Sequence, residues 1–572
     1  MNKKMLIIGA GKIGRGFLAD IFGRSGYGLI VADAAEELVD TLNRQGQYTL
    51  VNIPGKDKRE EVSISIEQAL HTEKHREQII EQIASVTLIG VAVFPGAFDG
   101  VAELLAAGIS RKAESGPGTK ENPLDIIICA NVVGPAQMLR ERIESRLTEA
   151  GKKRFAGSVG LVESLVVRIG IEPTSEMKQE DPLTVVTNGF PYLVVDKTGF
   201  KGTLPDVDGL EFTENIGRDE IRKIYTYNMI HAVFAYLGAG KGYTDVLESL
   251  GDEQIMACAR GALEEAGTGL QNEYGLTDEE RAKWYDEVMT NMTNPALADS
   301  IARIGRDPKR KLEREGRLTG AALLCKKHGY YPHYLCKAIG AALLFHPEGD
   351  PSAPDIEEEL KRSDSKTVIK KYCGLDREPE LVQMIHEQYR KAKEGTLFDE
   401  DPPRVEVLKR AYHLGFEKEK VFHGCAQCTL SALFELTGNE QPLLFQAASG
   451  LAGGIGLSGD GSCGGYTGGI MYMGSYAGRR LEHIDGDKEA QYKSFEMAQK
   501  LRDRYMETYG NVTCKDIHEE IFGRAYILRT KPVRVEFEEA GAHTDKCTTV
   551  IACAAMWTAD LLMEEGFFTP SL

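Results

Sequence analysis

The run KIYTYNMIHAVFAYLG holds Lys223, Asn228 and His231, three side chains that can together act on an alcohol. Read as one helix turning 100° per residue, it places Glu220, Lys223, Tyr227, Asn228 and His231 within an arc of roughly 140°. Removing a hydride from an alcohol needs a base for the hydroxyl proton. It also needs donors that hold the oxygen as it becomes alkoxide and then carbonyl. Lys223 is the candidate base, provided burial and a neighbouring positive charge lower its pKa from about 10.4. Asn228 is a candidate oxyanion donor. Asn131, closing the strand IIICAN, is a second, because strand C-terminal ends line the ligand cleft of open parallel sheets. His231 can hold a neighbouring substrate hydroxyl, and Glu220 can pass the proton from Lys223 to solvent. Pattern alone leaves a plainer reading open. Lys and His on an amphipathic helix are commonly surface or interface residues, and Asn after a strand is commonly a turn former.

A hydride acceptor is implied at the N-terminus. IIGAGKIGRGF sets Gly9, Ala10, Gly11, Lys12, Ile13 and Gly14 directly after a strand and at the start of a helix. The first glycine makes the tight turn, the second admits a pyrophosphate to the backbone, and the third allows close helix–strand packing. The helix N-terminus offers free N–H groups and partial positive charge to the phosphates. The next strand, GLIVAD, ends in Asp33, 19 residues after Gly14. A carboxylate there accepts from ribose hydroxyls and repels a 2′-phosphate, which favours NAD over NADP.

These residues sit in a chain of 572, long enough for about three domains. Residues 1–200 alternate apolar strands with amphipathic helices. MLIIGAG, GLIVAD, VTLIGVAVF and LDIIICAN read as buried parallel strands, and LTVVTNGFPYLVVD closes or extends their sheet. Residues 201–393 turn helical. EGTLFDEDPPR, at 394–404, reads as a linker. Residues 404–572 are mostly helical around a Gly-rich centre, LAGGIGLSGDGSCGGYTGGIMYMGSYAGR, suited to close helix packing or to a tight loop over a ligand. The fold class is thus an α/β Rossmann domain, an all-α domain and a third, mostly α-helical cysteine-containing domain. The net charge of −18 argues against nucleic acid and anionic membranes as partners. No apolar run reaches the roughly 18 residues of a membrane span, and the N-terminus reads as a strand rather than a secretory signal, so a cytoplasmic location is expected.

IGAGKIGRGF and KIYTYNMIH resemble the long-chain polyol dehydrogenases, and most closely their mannitol-1-phosphate 5-dehydrogenase branch. The family's Lys-x4-Asn-x2-His element falls on Lys223, Asn228 and His231. ICANVVG with Asn131, VGLVESLVVRIGIEP, ADSIARIGRDPKRKLEREGRL, KAIGAALLFHPEGD and VIKKYCGLDRE carry the likeness to about residue 390. Lys12 stands where the family usually has Asn, and Ala130 where Glu is common. The resemblance implies metal-independent hydride transfer between NAD(H) and a sugar alcohol phosphate, interconverting mannitol 1-phosphate and fructose 6-phosphate. Such a substrate needs cations. RIGRDPKRK offers Arg303, Arg306 and Arg310, with Lys309 and Lys311, and Arg suits bidentate phosphate contact; a solvated helix start is the alternative. Rival activities are hexuronate reduction, oxidation of an unphosphorylated polyol, or sensing of NADH and redox state.

The third region holds six of the 11 cysteines. Cys425 and Cys428 lie at i and i+3 in HGCAQCTLSALFE, with Cys463, Cys514 and Cys547 further on. Their order resembles a small family named for its C-GCAxxG-C-C pattern and associated with redox activity. Cys425, Cys463, Cys514 and Cys547 match its recurring cysteines; Cys428 is an addition, and the family's earliest cysteine is missing, with His423 nearby. Thiol–disulfide chemistry, a metal or iron–sulfur site, and burial as small apolar residues all remain open. Cys258, Cys325, Cys336 and Cys373 read as core.

Overall fold

A computed structural model describes residues 3–55, 58–114, 122–130, 132, 134–297 and 299–569. The chain forms two compact units. One comprises Met1–Arg222 with Met289–Ala298, the other Lys223–Val288 with Asp299–Leu572.

The first unit is built on strands β1 (Lys4–Ile8), β2 (Gly28–Asp33), β3 (Gln47–Gly55), β4 (Lys58–Ser65), β5 (Gln68–His71), β6 (Leu88–Val91), β7 (Leu124–Ile128), β8 (Val159–Leu165), β9 (Gly170–Ile171), β10 (Val185–Thr187), β11 (Leu193–Asp196) and β12 (Leu210–Thr213). Eight form one sheet in the order β12-β11-β8-β7-β6-β1-β2-β5. From β5 to β8 every pairing is parallel. That is the doubly wound order whose direction reverses beside β1, where such sheets open a crevice at their strand ends. Both faces are covered. In β1, Met5 and Ile7 enter one core cluster and Leu6 and Ile8 the other, as a period of two requires. The four strands expected from sequence are β1, β2, β6 and β7. LTVVTNGFPYLVVD divides: β10 joins a second sheet of order β4-β3-β10-β9, and β11 extends the first. Gly189, at φ +62°, turns the chain between them.

A buried ion pair ties these pieces together. Arg168 Nη1 lies 2.5 Å from Asp20 Oδ2, with side chains only 3% and 4% exposed. Arg168 also donates to the Phe190 and Gly16 carbonyls and lies 4.3 Å over the Phe17 ring. Met289–Ala298 returns to this unit through side-chain amides: Asn188 Nδ2 donates to Asn291 Oδ1, and Asn294 Nδ2 to the Ile53 carbonyl.

The second unit is helical among its described residues. Helix Met229–Gly240 is buried along nearly all its length. Residues 394–404 do not hang loose. Gly395, at φ +76°, ends helix Pro379–Glu394, and Pro402 and Pro403 open helix Pro402–Phe422. Between them Leu397 is buried and Glu400 pairs with the buried Lys337 at 2.6 Å and His333 at 3.0 Å. Helix Pro402–Phe422 then faces two ways. Gly415 lies so close to helix Cys547–Glu564 that a Cβ would stand 2.7 Å from the Ile551 carbonyl. On the other side His413 stacks on Tyr330 at 4.5 Å and meets the Gly329 carbonyl. One stretch, Ala542–Glu564, is long and apolar enough to cross a membrane, contrary to the sequence expectation, but 83% of its most apolar window is buried inside the protein. It is a core helix.

Candidate active site and a cysteine-lined cavity

In the first unit the loop after β1 takes the form its glycines predict. Gly9 adopts φ +99°, and its N–H donates to the Ala32 carbonyl. A Cβ on Gly14 would stand 1.9 Å from the Gly9 carbonyl oxygen, so only glycine packs there, whereas nothing lies within 4 Å of a Cβ at Gly11. That open approach fits a pyrophosphate. Asp33 is held at the loop by the Ala10 N–H (2.7 Å) and the Ala35 N–H (2.9 Å). Ile13 packs on the core, and Lys12 pairs with Glu172 at the surface. Arg15, not singled out from sequence, locks the loop by donating to the Ala10 and Leu183 carbonyls. The helix opens with a π-helical turn, Gly14–Leu18. Asn131 lies outside the described residues.

The catalytic candidates lie on an element more complex than one helix. An α-helix, Ile216–Lys223, passes into a π-helical turn, Ile224–Asn228, and then into helix Met229–Gly240. The wide turn breaks the uniform 100° phase assumed from sequence, and π-turns of this kind cluster at functional sites. Glu220 lies in the first helix, Lys223 at its end, Asn228 closes the turn, and His231 is the third residue of the second helix, after Met229 and Ile230. Gly320 lets Tyr225 of the turn approach closely: a Cβ there would meet its hydroxyl at 2.2 Å.

Arg317, not singled out from sequence, lies against the same turn. Its Nη1 donates to the Asn228 carbonyl at 3.1 Å, and it forms no ion pair with a carboxylate among the described residues. Burial, then Arg310, lowers its pKa to about 10. Burial, then Arg317 and Arg303, lowers His231 to about 4, so the imidazole is neutral near pH 7. The proposed phosphate residues are placed otherwise. Arg303 is exposed and pairs with Asp299; Arg310 is exposed and pairs with Asp307 at 3.3 Å; Arg306 is exposed. Lys309 faces Asp355, and Lys311 is buried and donates to the Arg306 carbonyl. Arg317 lay in the quoted KLEREGRL, but outside the dense RIGRDPKRK run that drew attention.

A separate cavity of about 210 Å³ in the second unit gathers Cys425, Cys463, Cys514 and Cys547, together with His518, Glu419, His423, Glu538 and His543. Each of the four cysteines starts a helix. Cys425, Cys514 and Cys547 are first residues of Cys425–Thr437, Cys514–Phe522 and Cys547–Glu564, and Cys463 caps Gly464–Ala477. Three helix N-termini, at Cys425, Cys463 and Cys514, thus aim partial positive charge at one space, whereas Cys547 continues the π-helical turn Ala542–Lys546, its N–H bonded to the Ala542 carbonyl. Burial nevertheless pushes all four thiols up, and their proximity to one another adds to it at Cys425, Cys514 and Cys547. His518 Nε2 stands 3.6 Å from Cys514 Sγ and 3.8 Å from Cys547 Sγ. Cys428 points elsewhere, to the His423 and Lys418 carbonyls. The Gly-rich centre serves both roles open to it. Gly453, Gly454, Ile455, Gly456 and Leu457 have consecutive φ values of 60–71°, a left-handed loop that lines the cavity. Gly468 then brings its helix onto the Ala426 carbonyl. Cys258, Cys325, Cys336 and Cys373 are buried core residues.

Comparison with known proteins places these features. Residues 3–209 match the mannitol dehydrogenase Rossmann domain, and residues 216–393 the mannitol dehydrogenase C-terminal domain. Residues 423–561 match a family described as "Putative redox-active protein (C_GCAxxG_C_C)". A mannitol-1-phosphate 5-dehydrogenase of Geobacillus thermodenitrificans is 32% identical over 389 residues, 67% of this chain and 97% of the relative. One from Bacillus licheniformis is 32% identical over 380 residues, 66% of this chain and 98% of the relative. Among solved structures, a substrate-free D-sorbitol dehydrogenase shares the fold with TM-score 0.60 at 14% identity, covering 70% of this chain and 94% of that one. A Pseudomonas fluorescens mannitol 2-dehydrogenase, solved with NAD and D-mannitol, gives 0.52 at 16% identity, covering 70% and 93%. Fold and relatives together define an NAD-dependent polyol oxidoreductase. The chain belongs to the mannitol dehydrogenase family, and carries a C_GCAxxG_C_C domain besides.

Proposed function

We propose that this enzyme interconverts D-mannitol 1-phosphate and D-fructose 6-phosphate. The observation that supports this most is the alignment of relatives bearing that activity's name over 97% of their length, with the Lys-x4-Asn-x2-His element intact at Lys223, Asn228 and His231. Bound NAD supplies the hydride acceptor. Lys223 takes the hydroxyl proton, and Glu220 relays it to solvent. The side-chain amides of Asn131 and Asn228 donate to the oxygen as negative charge grows on it. His231, neutral because burial and two arginines disfavour its cation, hydrogen-bonds the adjacent hydroxyl. Gly9, Ala10, Gly11, Lys12, Ile13 and Gly14 form the dinucleotide loop, and Asp33 selects NAD through the ribose. Of the basic residues, Arg317 is the one best suited to the phosphate. It is half-buried, lacks a carboxylate partner among the described residues, and stands beside Asn228 and His231. A substrate panel tests the assignment: NADH oxidation is expected with fructose 6-phosphate and not with fructose or fructuronate. Equal rates with fructose would move the enzyme to the unphosphorylated branch.

The four cysteines favour a second role for residues 404–572, a redox or iron–sulfur module. Three helix N-termini, at Cys425, Cys463 and Cys514, would stabilise the negative charge of thiolates that bind a cluster. Iron and sulfide analysis of anaerobically purified protein, against a C425S/C514S variant, distinguishes a cluster from structural thiols.

A further inference from the structure

Beside the four thiols, and using none of them, His423, His543 and Glu538 bring one ligand atom each to within 4.8 Å of the others. The elements that deliver them are the end of helix Pro402–Phe422, helix Lys531–Glu539 and the π-helical turn Ala542–Lys546, the first distant in sequence from the other two. His543 Nδ1 lies 2.8 Å from both Glu538 oxygens, and His423 Nδ1 lies 3.9 Å from Glu538 Oε1. Donors bound to a zinc-class ion at 2.0–2.2 Å stand about 3.4 Å apart; the two Glu538 distances, 2.8 Å to His543 and 3.9 Å to His423, bracket that spacing.

Two further observations point to an ion. First, the other nitrogen of His543, Nε2, faces Glu419 Oε1 at 3.6 Å. Glu419 is 3% exposed, and its Oε2 is buried without a hydrogen-bond partner. A buried carboxylate behind the distal N–H is how metal-bound imidazoles are oriented and made more basic. Second, His423 takes φ +59° and ψ +171°, a region that is essentially glycine's alone and costly for any other residue. The chain holds an imidazole where glycine would be comfortable, and its ring lies 3.8 Å from that of His543.

We propose that His423 Nδ1, His543 Nδ1 and the Glu538 carboxylate bind one divalent transition ion of the zinc and ferrous class, with Glu419 positioning His543. Two imidazoles and one carboxylate select such ions over magnesium or calcium. Three protein ligands leave coordination positions open, as in catalytic rather than structural sites. All four residues line the cysteine cavity, so the open positions serve that space.

Co²⁺ is the probe, titrated anaerobically into chelator-treated full-length protein, with Zn²⁺ as competitor. One Co²⁺ per chain is expected, with nitrogen- and oxygen-type visible bands, no sulfur-to-cobalt charge transfer, and displacement by Zn²⁺. H543A and E538A should abolish the bands, E419Q should weaken affinity about 10–100-fold, and C425S/C514S should leave both unchanged. H423G separates ligation from folding: it removes a donor and relieves the backbone, so binding is lost while the apo melting temperature does not fall. Absence of stoichiometric Co²⁺, retention of the bands in H423G, or a sulfur charge-transfer band removed by C425S/C514S would each overturn the assignment.

Discussion

At the scale of single residues the proposed chemistry turns on Lys223. Lys223→Ala should lower turnover about 10²- to 10⁴-fold, the range for removing a general base, while NADH affinity measured by fluorescence stays near wild type. Arg317 and His231 offer a complementary prediction. Arg317→Met removes a positive charge that lowers the His231 pKa, so that pKa, followed by NMR, should rise. The same variant should raise KM for fructose 6-phosphate more than it lowers kcat. Lys223, Asn228 and His231 were legible in sequence because their spacing is a family element. Arg317 was not, because what makes it a candidate is its desolvation and the lack of a carboxylate partner among the described residues, neither of which spacing encodes. Stability carries a pH signature too. His231 and His518 have folded pKa values near 4 against about 6.5 unfolded. The unfolded chain therefore binds more protons between those values, and stability falls as pH drops from 6.5 towards 4. Urea midpoints at pH 7 and pH 5 should show the loss, and His518→Gln should reduce it.

At the scale of elements, π-helical turns mark each of the three regions read as chemical: Gly14–Leu18, Ile224–Asn228 and Ala542–Lys546. Each inserts a wide turn into an otherwise α-helical run and shifts the phase of the residues that follow, which a uniform helical period does not anticipate. Strand identity was easier. β1, β2, β6 and β7 are continuous apolar runs, as strands buried on both faces must be. The β3–β4 hairpin escaped notice because β4, KREEVSIS, is mostly exposed and charged. Arg168 lies in the stretch VGLVESLVVRIGIEP, yet its role depends on Asp20, 148 residues away. Arg168→Met leaves Asp20 buried with only Arg24 for compensation. A loss of about 3–5 kcal/mol is expected, measured by urea denaturation of the first unit's transition.

For the whole molecule, the helical dehydrogenase segment and the cysteine-bearing region share one packed unit. Lys326, 3% exposed, pairs with Glu378 at 2.8 Å, and Lys546 reaches the same Glu378 at 3.7 Å. Lys409 lies 3.4 Å from the buried Glu265, whose carboxylate caps helix His333–Ala342 through the Tyr334 and Leu335 N–H groups. Burial raises the Glu265 pKa to about 7, with Lys409 opposing the rise. Truncation after residue 393 would strip these partners and bare Tyr330 and Gly329. The shortened chain should melt well below the full chain and bind more of a hydrophobic dye. An unchanged melting temperature would show that the appended region is an independent passenger.

The sequence by itself determined the dinucleotide loop, the parallel sheet, the Lys-Asn-His element and the family, because each is written in local spacing. Glycine loop, strand and acid must follow one another along the chain for a dinucleotide's pyrophosphate and ribose to be held. Only the tertiary structure decided which cysteines meet, that Cys428 stands apart from them, that Arg317 reaches the Asn228 carbonyl, and that His423 and His543 stack beside Glu538. Those are meetings between distant segments. They depend on which helix ends converge and which charges lose their water, and no local pattern carries that information.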